Sequence, residues 1–585
     1  MGKKVVILGG GVAGMSAAHE LCERGFQVSV YELKEMQGGK ARSIEVAGTA
    51  KGGRKPLPGE HGFRFFPRFY KHLPDTMARI PFPGNAKGVF NNLTEASRGE
   101  MARYGKKPIQ LVTRFPRNPA DVDAIVKEIF GGSDTGLTTD DLEFFAGRLW
   151  RLMTSCNERR LVEYERMSWW EFIGAEGRSE AYQQLLAIGL TRTLVAAKAQ
   201  EASARTGGDI LLQLIFDMTT PGTSADRLLN APTDDAWLDP WLAYLRGKGV
   251  NFQLNASVEE IKCDGHIVTG VVIKQDGKKT EVKGDYYISA LPIEVMSKFI
   301  TPELVQADPS LKSLGMLAPC VSWMNGIQFY LKKNINIVEG HTIYIDTPWA
   351  LTSISQRQFW PSVRFDDLGD GTVEGILSVD ISDWFTPGTL FTKPFTGKYK
   401  CASECTREEI KQEVWHQLKK SLNVETEVLS DSMLHSWFLD SDIVIDDAER
   451  PHPTVNLEPL LINKAGTWML RPEAVTKIPN LLLASDYVRT FTDLATMEGA
   501  NEAARRAVNG ILTKSGSKEK PCELWNLHEP ELLAPWRFHD QQRFVKDLPW
   551  DGGAYGIWGY VSRFISFLLR ILKKFLDLFR KKPNE

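Results

Sequence analysis

Long hydrophobic runs are missing from this chain. No stretch of about 18 uncharged apolar residues occurs, so the sequence offers no helix able to span a bilayer. An excess of one charge is missing too: 71 lysines and arginines meet 73 aspartates and glutamates, a net charge of −2. No global field draws such a chain to nucleic acid, and no nucleic-acid partner is expected. Cysteine is scarce and odd in number, seven in all, at positions 22, 156, 263, 320, 401, 405 and 522. Cys401 and Cys405 are spaced C-x3-C, but no histidine or cysteine pair lies nearby to complete a metal site. No metal is therefore expected, and the thiols read as buried or inert groups in a reducing compartment. A signal peptide finds no room before a strand that begins at Lys4 or Val5. The opening Met-Gly is followed by Val6, where N-myristoylation needs serine or threonine.

What is present is ordinary in bulk and specific in place. Hydrophobic residues make up 43% and charged residues 25% of the 585 positions, the balance of a globular protein too long for one core. The chain is organised around residues 5–42. Val5–Leu8 suits a buried parallel strand, Gly9-x-Gly11-x-x-Gly14 follows at once, and Met15–Arg24 has amphipathic helical spacing. Gly25 ends that helix, Gln27–Tyr31 is the next strand, and Glu32 closes it. Gly9 permits a tight turn, Gly11 lets a pyrophosphate approach the backbone, and Gly14 lets helix and strand pack closely. The free N–H groups around Val12 and Ala13 and the positive end of the helix dipole complete a phosphate site. Glu32 is placed to accept from a ribose diol. A second turn, Gly38-Gly39-Lys40 with Arg42, adds another backbone approach and fixed positive charge. A dinucleotide wrapped by two loops points to resident FAD rather than a dissociating nicotinamide.

Further along, Glu60-His61-Gly62-Phe63-Arg64-Phe65-Phe66 looks like a segment lying against a planar ring. Residues 71–205 read as long helices with little strand signal, a helical cap whose aromatic stripes belong to a core. A helix ending at Gly247 or Gly249 precedes three strand-like runs, NFQLNASVEEIKC, IVTGVVIK and TEVKGDYYISALP, separated by Asp-Gly turns, the last an apolar strand ending Ala290-Leu291-Pro292 that returns the chain to the dinucleotide domain. Residues 300–470 mix strands with a helix at 407–421, and Trp349, Phe359, Trp360, Trp384, Phe385 and Trp437 suit either pocket walls or a core. Residues 481–511 give a strand ending at Asp486 and a helix opened by Met497-Glu498-Gly499-Ala500, whose N–H groups and dipole could face the electron-accepting edge of a flavin.

From Val561 to Lys582 polar residues recur every three or four positions as one basic stripe, with Ile, Leu, Phe and Val between them. At ~1.5 Å per residue this helix would be about 30 Å long, but Arg570, Lys573 and Lys574 in its middle forbid spanning. A cationic amphipathic helix lies in the membrane interface, with Trp558 and Tyr560 at headgroup level. Residues 554–585 are thus the expected membrane contact, on the cytoplasmic face, as a peripheral (monotopic) attachment.

The motifs together resemble the FAD-dependent amine-oxidase superfamily, and within it the plant and cyanobacterial phytoene desaturases. Glu32-x-Lys34-x-x-x-Gly38-Gly39-Lys40 is similar to the ribose and pyrophosphate segment. Glu60-x-Gly62 with Phe65, Phe66 and Tyr70 resembles the loop packed near the flavin. Asp226-Arg227-Leu228 is similar to the segment whose arginine lies near the substrate and quinone pocket, Val258 matches the position whose backbone meets the adenine, and Asp486-Tyr487 with Ala495–Ala500 resembles the closing FAD motif. Bacterial hydroxysqualene dehydroxylases look similar over the same segments. One departure stands out: the phytoene enzymes carry histidine where this chain has Arg64, a fixed cation that also suits a carboxylate or phosphate.

The resemblance implies an α/β fold: a Rossmann-type FAD-binding domain in three pieces (1–70, 206–300 and 476–515), a mixed α+β substrate domain with its helical cap (71–205 and 301–475), and a tail (516–585) with the amphipathic helix. It implies removal of hydride from a long-chain apolar lipid (a fatty-acyl chain, carotenoid precursor or squalene-type isoprenoid) to flavin, with quinone or oxygen as the final acceptor. Gly9, Gly11, Val12, Ala13, Gly14, Glu32, Lys34, Gly38, Gly39, Lys40, Arg42, Val258, Asp486 and Met497 are the expected cofactor contacts, and Arg64, Arg227 and Tyr487 the expected pocket and flavin neighbours. Two other readings stand beside this one: an amine oxidase whose tail serves oligomerisation, and a membrane-recruited flavin-binding protein without turnover.

Overall fold

A computed structural model describes residues 2–112, 135–195, 197–218, 224–445 and 454–556. The expected tail helix lies outside the described residues. No helix among them is long and apolar enough to cross a membrane.

The first strand, Lys4–Leu8, is central in a five-stranded sheet. It pairs in parallel with Gln27–Tyr31 on one side and Tyr286–Ser289 on the other. Asn251–Gln253 extends the first side and Leu481–Leu483 the second, again in parallel. In chain order this is 3-2-1-4-5, the doubly wound arrangement, and the strand order reverses beside the first strand. Val5–Leu8 and Leu481–Leu483 are buried throughout, as their continuous Val, Ile and Leu runs demand, while the edge strand Asn251–Gln253 is partly exposed. The first helix, Val12–Cys22, and the closing helix, Met497–Ser515, pack against each other over this sheet. The first helix begins three residues earlier than its apolar periodicity predicts. Gly11 is its N-cap, so Gly14 is a helical residue: a Cβ there would run into the carbonyl oxygen of Gly9.

The expected meander is an antiparallel sheet of Ala256–Cys263, Val268–Gln275 and Lys278–Val282, but its first run is split: Asn251–Gln253 belongs to the parallel sheet, as does Tyr286–Ser289 beyond the third strand. Asp276 (φ +50°) and Gly277 (φ +76°) make its second turn, the left-handed pair that a two-residue hairpin needs. Helix Asp239–Gly247 precedes it and Gly249 (φ +84°) follows the helix end.

A second, seven-stranded sheet holds the other half of the molecule, in the order Leu434–Leu439, Asn325–Leu331, Gly375–Ile381, Leu351–Ser355, Thr342–Tyr344, Arg98–Arg103, Lys106–Val112. Three of these strands are wholly buried, and helix Arg407–Leu422 covers one face through Ile410, Val414, Trp415 and Leu418. Arg98–Arg103 and Lys106–Val112 correct the expectation of an all-helical 71–205: the second is the sheet edge and the first lies beside it with Glu100 and Arg103 buried, so polar residues hide the strand periodicity. The helices of 139–218 do form a unit, with its own core of Tyr164, Trp169, Phe172 and Tyr182. Trp349, Phe359, Trp360 and Trp384 are buried in the packing around the large sheet. They are core rather than pocket wall, while Phe385 is exposed.

Candidate functional site

The C-terminal ends of the parallel strands bring both glycine turns together. Gly9 takes φ +99°, and a side chain there would lie 2.9 Å from the carbonyl oxygen of Ala290 on the neighbouring strand connection. Gly38 (φ +96°) and Gly39 (φ +56°) form the second turn. The Gly38 N–H donates to the Gly10 carbonyl at 2.9 Å, and a Cβ on Gly39 would meet the Gly11 Cα at 3.1 Å. Two backbones thus meet with no side chain between them. The first helix has neither a side-chain cap nor an acidic residue in its first turn, although Val12, Ala13 and Gly14 are buried. A buried, uncapped N-terminus is a ready anion site.

Glu32 closes the opposite side. Its carboxylate accepts from the Gly10 N–H at 2.7 Å and the Lys34 N–H at 2.9 Å. Burial raises its pKa, and those two N–H groups pull it back. Each carboxylate oxygen keeps a further lone pair for a hydroxyl donor. Val258 stands near this end: its strand starts where the Ala256 N–H donates to the Glu32 carbonyl at 2.8 Å. The half-buried Asp486 follows the fifth strand and, with Glu294 (3.5 Å) and Glu458, holds the Lys40 ammonium charged against the burial that opposes it. The side-chain-free cradle, the uncapped helix and the acidic partner fit a dinucleotide of the FAD type.

The other predicted residues are placed differently. Arg42 is buried, donates to the Gly39 carbonyl at 2.7 Å and pairs with Asp442. Lys34 reaches the same Asp442 at 2.8 Å and Glu458 at 3.1 Å. Both cations are thus committed to protein carboxylates and fix the second turn from behind. Arg64 is a clamp as well, donating to the carbonyls of Gly62, Phe63, Lys40 and Ala41. Burial lowers its pKa, with Glu60 and Asp380 opposing. Arg227 donates to Phe66 (3.1 Å) and Pro67 (3.0 Å) and lies over the Phe90 ring. Tyr487 is fully buried in the core of the parallel sheet beside Ser289, leaving no surface to present to a ring. Met497 is half-buried at the closing helix N-terminus, which Thr496 caps through the Gly499 N–H at 3.1 Å. Glu498 points away from the cradle: its carboxylate accepts from the N–H groups of Lys71, His72 and Leu73 and contacts His72 Nδ1.

Sequence reasoning missed a buried polar cluster under the Glu60–Arg64 loop. His61 Nδ1 lies 2.7 Å from Asp440, with Asp442 at 3.7 Å. Burial disfavours the imidazolium but Asp440 outweighs it, so the pKa of His61 is raised. His61, Asp440 and Asp442 are close enough to hold a cation, but Arg42 and Lys34 already neutralise Asp442, and the group is an ion network. Asp380, on strand Gly375–Ile381 of the large sheet, backs onto Gly62, where a Cβ would lie 2.7 Å from its Oδ1. Burial pushes its pKa up to about 7, against the pull of Arg64 and His61. A second pair, His341 and Asp226, sits beside the rings of Phe63 and Phe65. The Asp440-x-Asp442 spacing was a visible signal; its partner across the fold was not.

Comparison with known proteins agrees with this geometry. The model of the family described as flavin containing amine oxidoreductase matches residues 12–325 and 347–512. The chain is similar to a probable zeta-carotene desaturase of Synechococcus elongatus, 25% identical over 51% of this chain and 60% of the relative. It is similar to a zeta-carotene desaturase of Synechocystis (25%, 50% of this chain and 58% of the relative) and to a 15-cis-phytoene desaturase of Synechococcus elongatus (23%, 53% and 62%). The matches therefore span less than two-thirds of these curated relatives. Among solved structures the fold is similar to putrescine oxidase bound to putrescine (TM-score 0.56, 14% identity, 88% of this chain and 99% of that one). It is also similar to cyclohexylamine oxidase from Brevibacterium oxydans (TM-score 0.54, 13%, 88% and 100%).

Proposed function

We propose, for a chain that belongs to the flavin containing amine oxidoreductase family and is an FAD-dependent oxidoreductase, that it dehydrogenates a long-chain apolar lipid of the carotenoid-precursor type at a membrane surface. The observation that carries this reading is the character of the curated relatives, which are named for carotenoid desaturation, whereas the amine oxidases share the fold at 13–14% identity. FAD, when bound, supplies the two-electron acceptor for hydride leaving a C–H bond. The chain's own residues do the holding. Gly11–Ala13 and Gly38–Gly39 offer backbone to the pyrophosphate, Glu32 accepts from the ribose, and Arg42 and Lys34 brace the second turn through Asp442. Arg64 ties the Glu60–Phe66 loop to that turn, and Arg227 ties the loop's far end to the strand Asp226–Leu229. The site needs no strong base if the second proton is acidified by allylic cation character. Quinone or oxygen would be the final electron acceptor, and the basic tail attaches the enzyme to the cytoplasmic face of its membrane.

The test is anaerobic mixing of the yellow protein with polyene lipids and, separately, with amines. Loss of the oxidised-flavin absorbance with a lipid product short of two hydrogens is expected. Bleaching by amines alone, or by neither, overturns the reading. Deleting residues 557–585 is expected to weaken sedimentation with vesicles sharply; unchanged sedimentation removes the tail as an anchor.

A further inference from the structure

The most exposed large apolar side chain among the described residues is neither near the cradle nor in the tail. Phe395 is 99% exposed, at the tip of the hairpin formed by Pro387–Thr392 and Tyr399–Cys401. Phe385, Leu390 and Tyr399 of the same excursion are roughly half exposed. A single exposed apolar residue needs no explanation, but four on one short hairpin do.

Charge separates this hairpin from an ordinary loop. From Trp384 to Ser403 the sequence contains three lysines, Lys393, Lys398 and Lys400, and no acidic residue. Lys393 and Lys400 pair at 2.6 Å with Glu404 and Glu409 at the hairpin's foot, while Lys398, beside the tip, has no ion-pair partner among the described residues. The aromatic tip is thus flanked by basic groups.

The tip is also held in shape. The Lys393 N–H donates to the Lys398 carbonyl at 2.8 Å, the Gly397 N–H returns to the Lys393 carbonyl at 3.1 Å, and Gly397 takes φ +65°. The foot is pinned by Glu413 of the covering helix, a buried carboxylate accepting from the Thr389 N–H, the Thr389 hydroxyl and the Leu390 N–H, each at 2.8 Å. Gly388 makes this approach possible, since a Cβ there would lie 2.8 Å from the Glu413 carboxyl carbon. An anchored foot and an ordered tip present Phe395 outward at little entropic cost on binding.

We propose that the 385–400 hairpin is a lipid wedge: Phe395 enters the interfacial layer of an anionic bilayer while Lys398 and its neighbours sit among the headgroups. Aromatic and basic side chains in this order match the membrane interface. The inference rests on the reading of a lipid-surface enzyme but not on the tail, because the hairpin is a separate contact, a two-stranded sheet of its own pinned to the helix that covers the large sheet. It holds that sheet against the surface from which an apolar substrate is drawn.

The experiment uses the full chain and vesicles of phosphatidylcholine with or without phosphatidylglycerol. Phe395→Trp, read as a difference from wild type, is expected to shift emission to the blue on anionic vesicles and to be quenched by brominated lipid. Phe395→Ser is expected to raise the lipid concentration for half-binding about tenfold or more. Lys398→Glu is expected to do so on the order of tenfold on anionic vesicles only. Both sites are exposed, so flavin content and circular dichroism should match wild type. If the chain sediments with vesicles while Phe395→Trp shows no shift and Phe395→Ser binds normally, the wedge is overturned and the tail reading stands. If the chain does not sediment at all, both fall.

Discussion

Glu498 offers a test of whether the closing motif touches cofactor or builds structure. By resemblance it belongs to an FAD segment, but its carboxylate is buried and spent on the start of helix His72–Arg79. One oxygen faces the N–H groups of Lys71 (2.7 Å) and His72 (2.8 Å) and His72 Nδ1 (2.7 Å), and the other faces the N–H of Leu73 (2.9 Å). Glu498→Gln keeps the shape. With its carbonyl toward the crowded side, its NH2 confronts the Leu73 N–H, losing one charge-assisted bond worth about 1.5–3 kcal/mol and weakening three others. The total is about 3–5 kcal/mol, which for a chain of this length is an apparent Tm lower by roughly 2–4 °C. The folded pKa of Glu498 is lowered: burial opposes this, but His72 and the N–H donors outweigh it. Its contribution is therefore fully present above the ordinary carboxylate range and is lost as pH falls through the folded pKa, so the gap between wild type and variant should close in acid. Thermal unfolding across pH, with flavin content measured alongside, checks this. A variant that keeps its Tm but loses flavin would refute the structural role and return Glu498 to the cofactor.

Three further outcomes follow from the geometry. Gly14→Ala drives a methyl into the Gly9 carbonyl, so the purified protein should lose bound flavin, as its absorbance spectrum will tell. Asp442→Asn leaves the buried Arg42 without its carboxylate, costing about 3 kcal/mol and releasing flavin at lower denaturant concentration than wild type. Asp380 has a folded pKa raised from 3.8 to about 7, so stability present below its unfolded pKa is lost as pH rises toward 7. Asp380→Asn should flatten that decline in Tm, and an unchanged pH profile would remove Asp380 as its source.

The parts of the fold legible in sequence are those set by local chemistry. Gly9 and Gly14 announce the turn because only glycine tolerates the φ of the first and the backbone approach of the second. Asp276-Gly277 announces a hairpin, and Thr406 with Glu409 caps its helix through a reciprocal box. The strands within 98–112 were hidden because their polar residues, Glu100 and Arg103 buried among them, break the apolar alternation of a strand. The partners of Arg42 and Arg64 were hidden for a different reason. A basic residue beside a phosphate turn looks free in sequence, and the carboxylates and carbonyls that claim it come from remote segments such as Asp442 and Gly62. Trp349 and Trp384 were ambiguous because composition does not separate a pocket wall from a core.

The most direct test of the central claim is an experimental structure of the purified protein with its flavin. The account predicts the pyrophosphate against the N–H groups of Gly11–Ala13 and the Gly38–Gly39 turn, with the ribose on Glu32. Flavin bound elsewhere, or a protein that stays colourless after reconstitution with FAD, would contradict it.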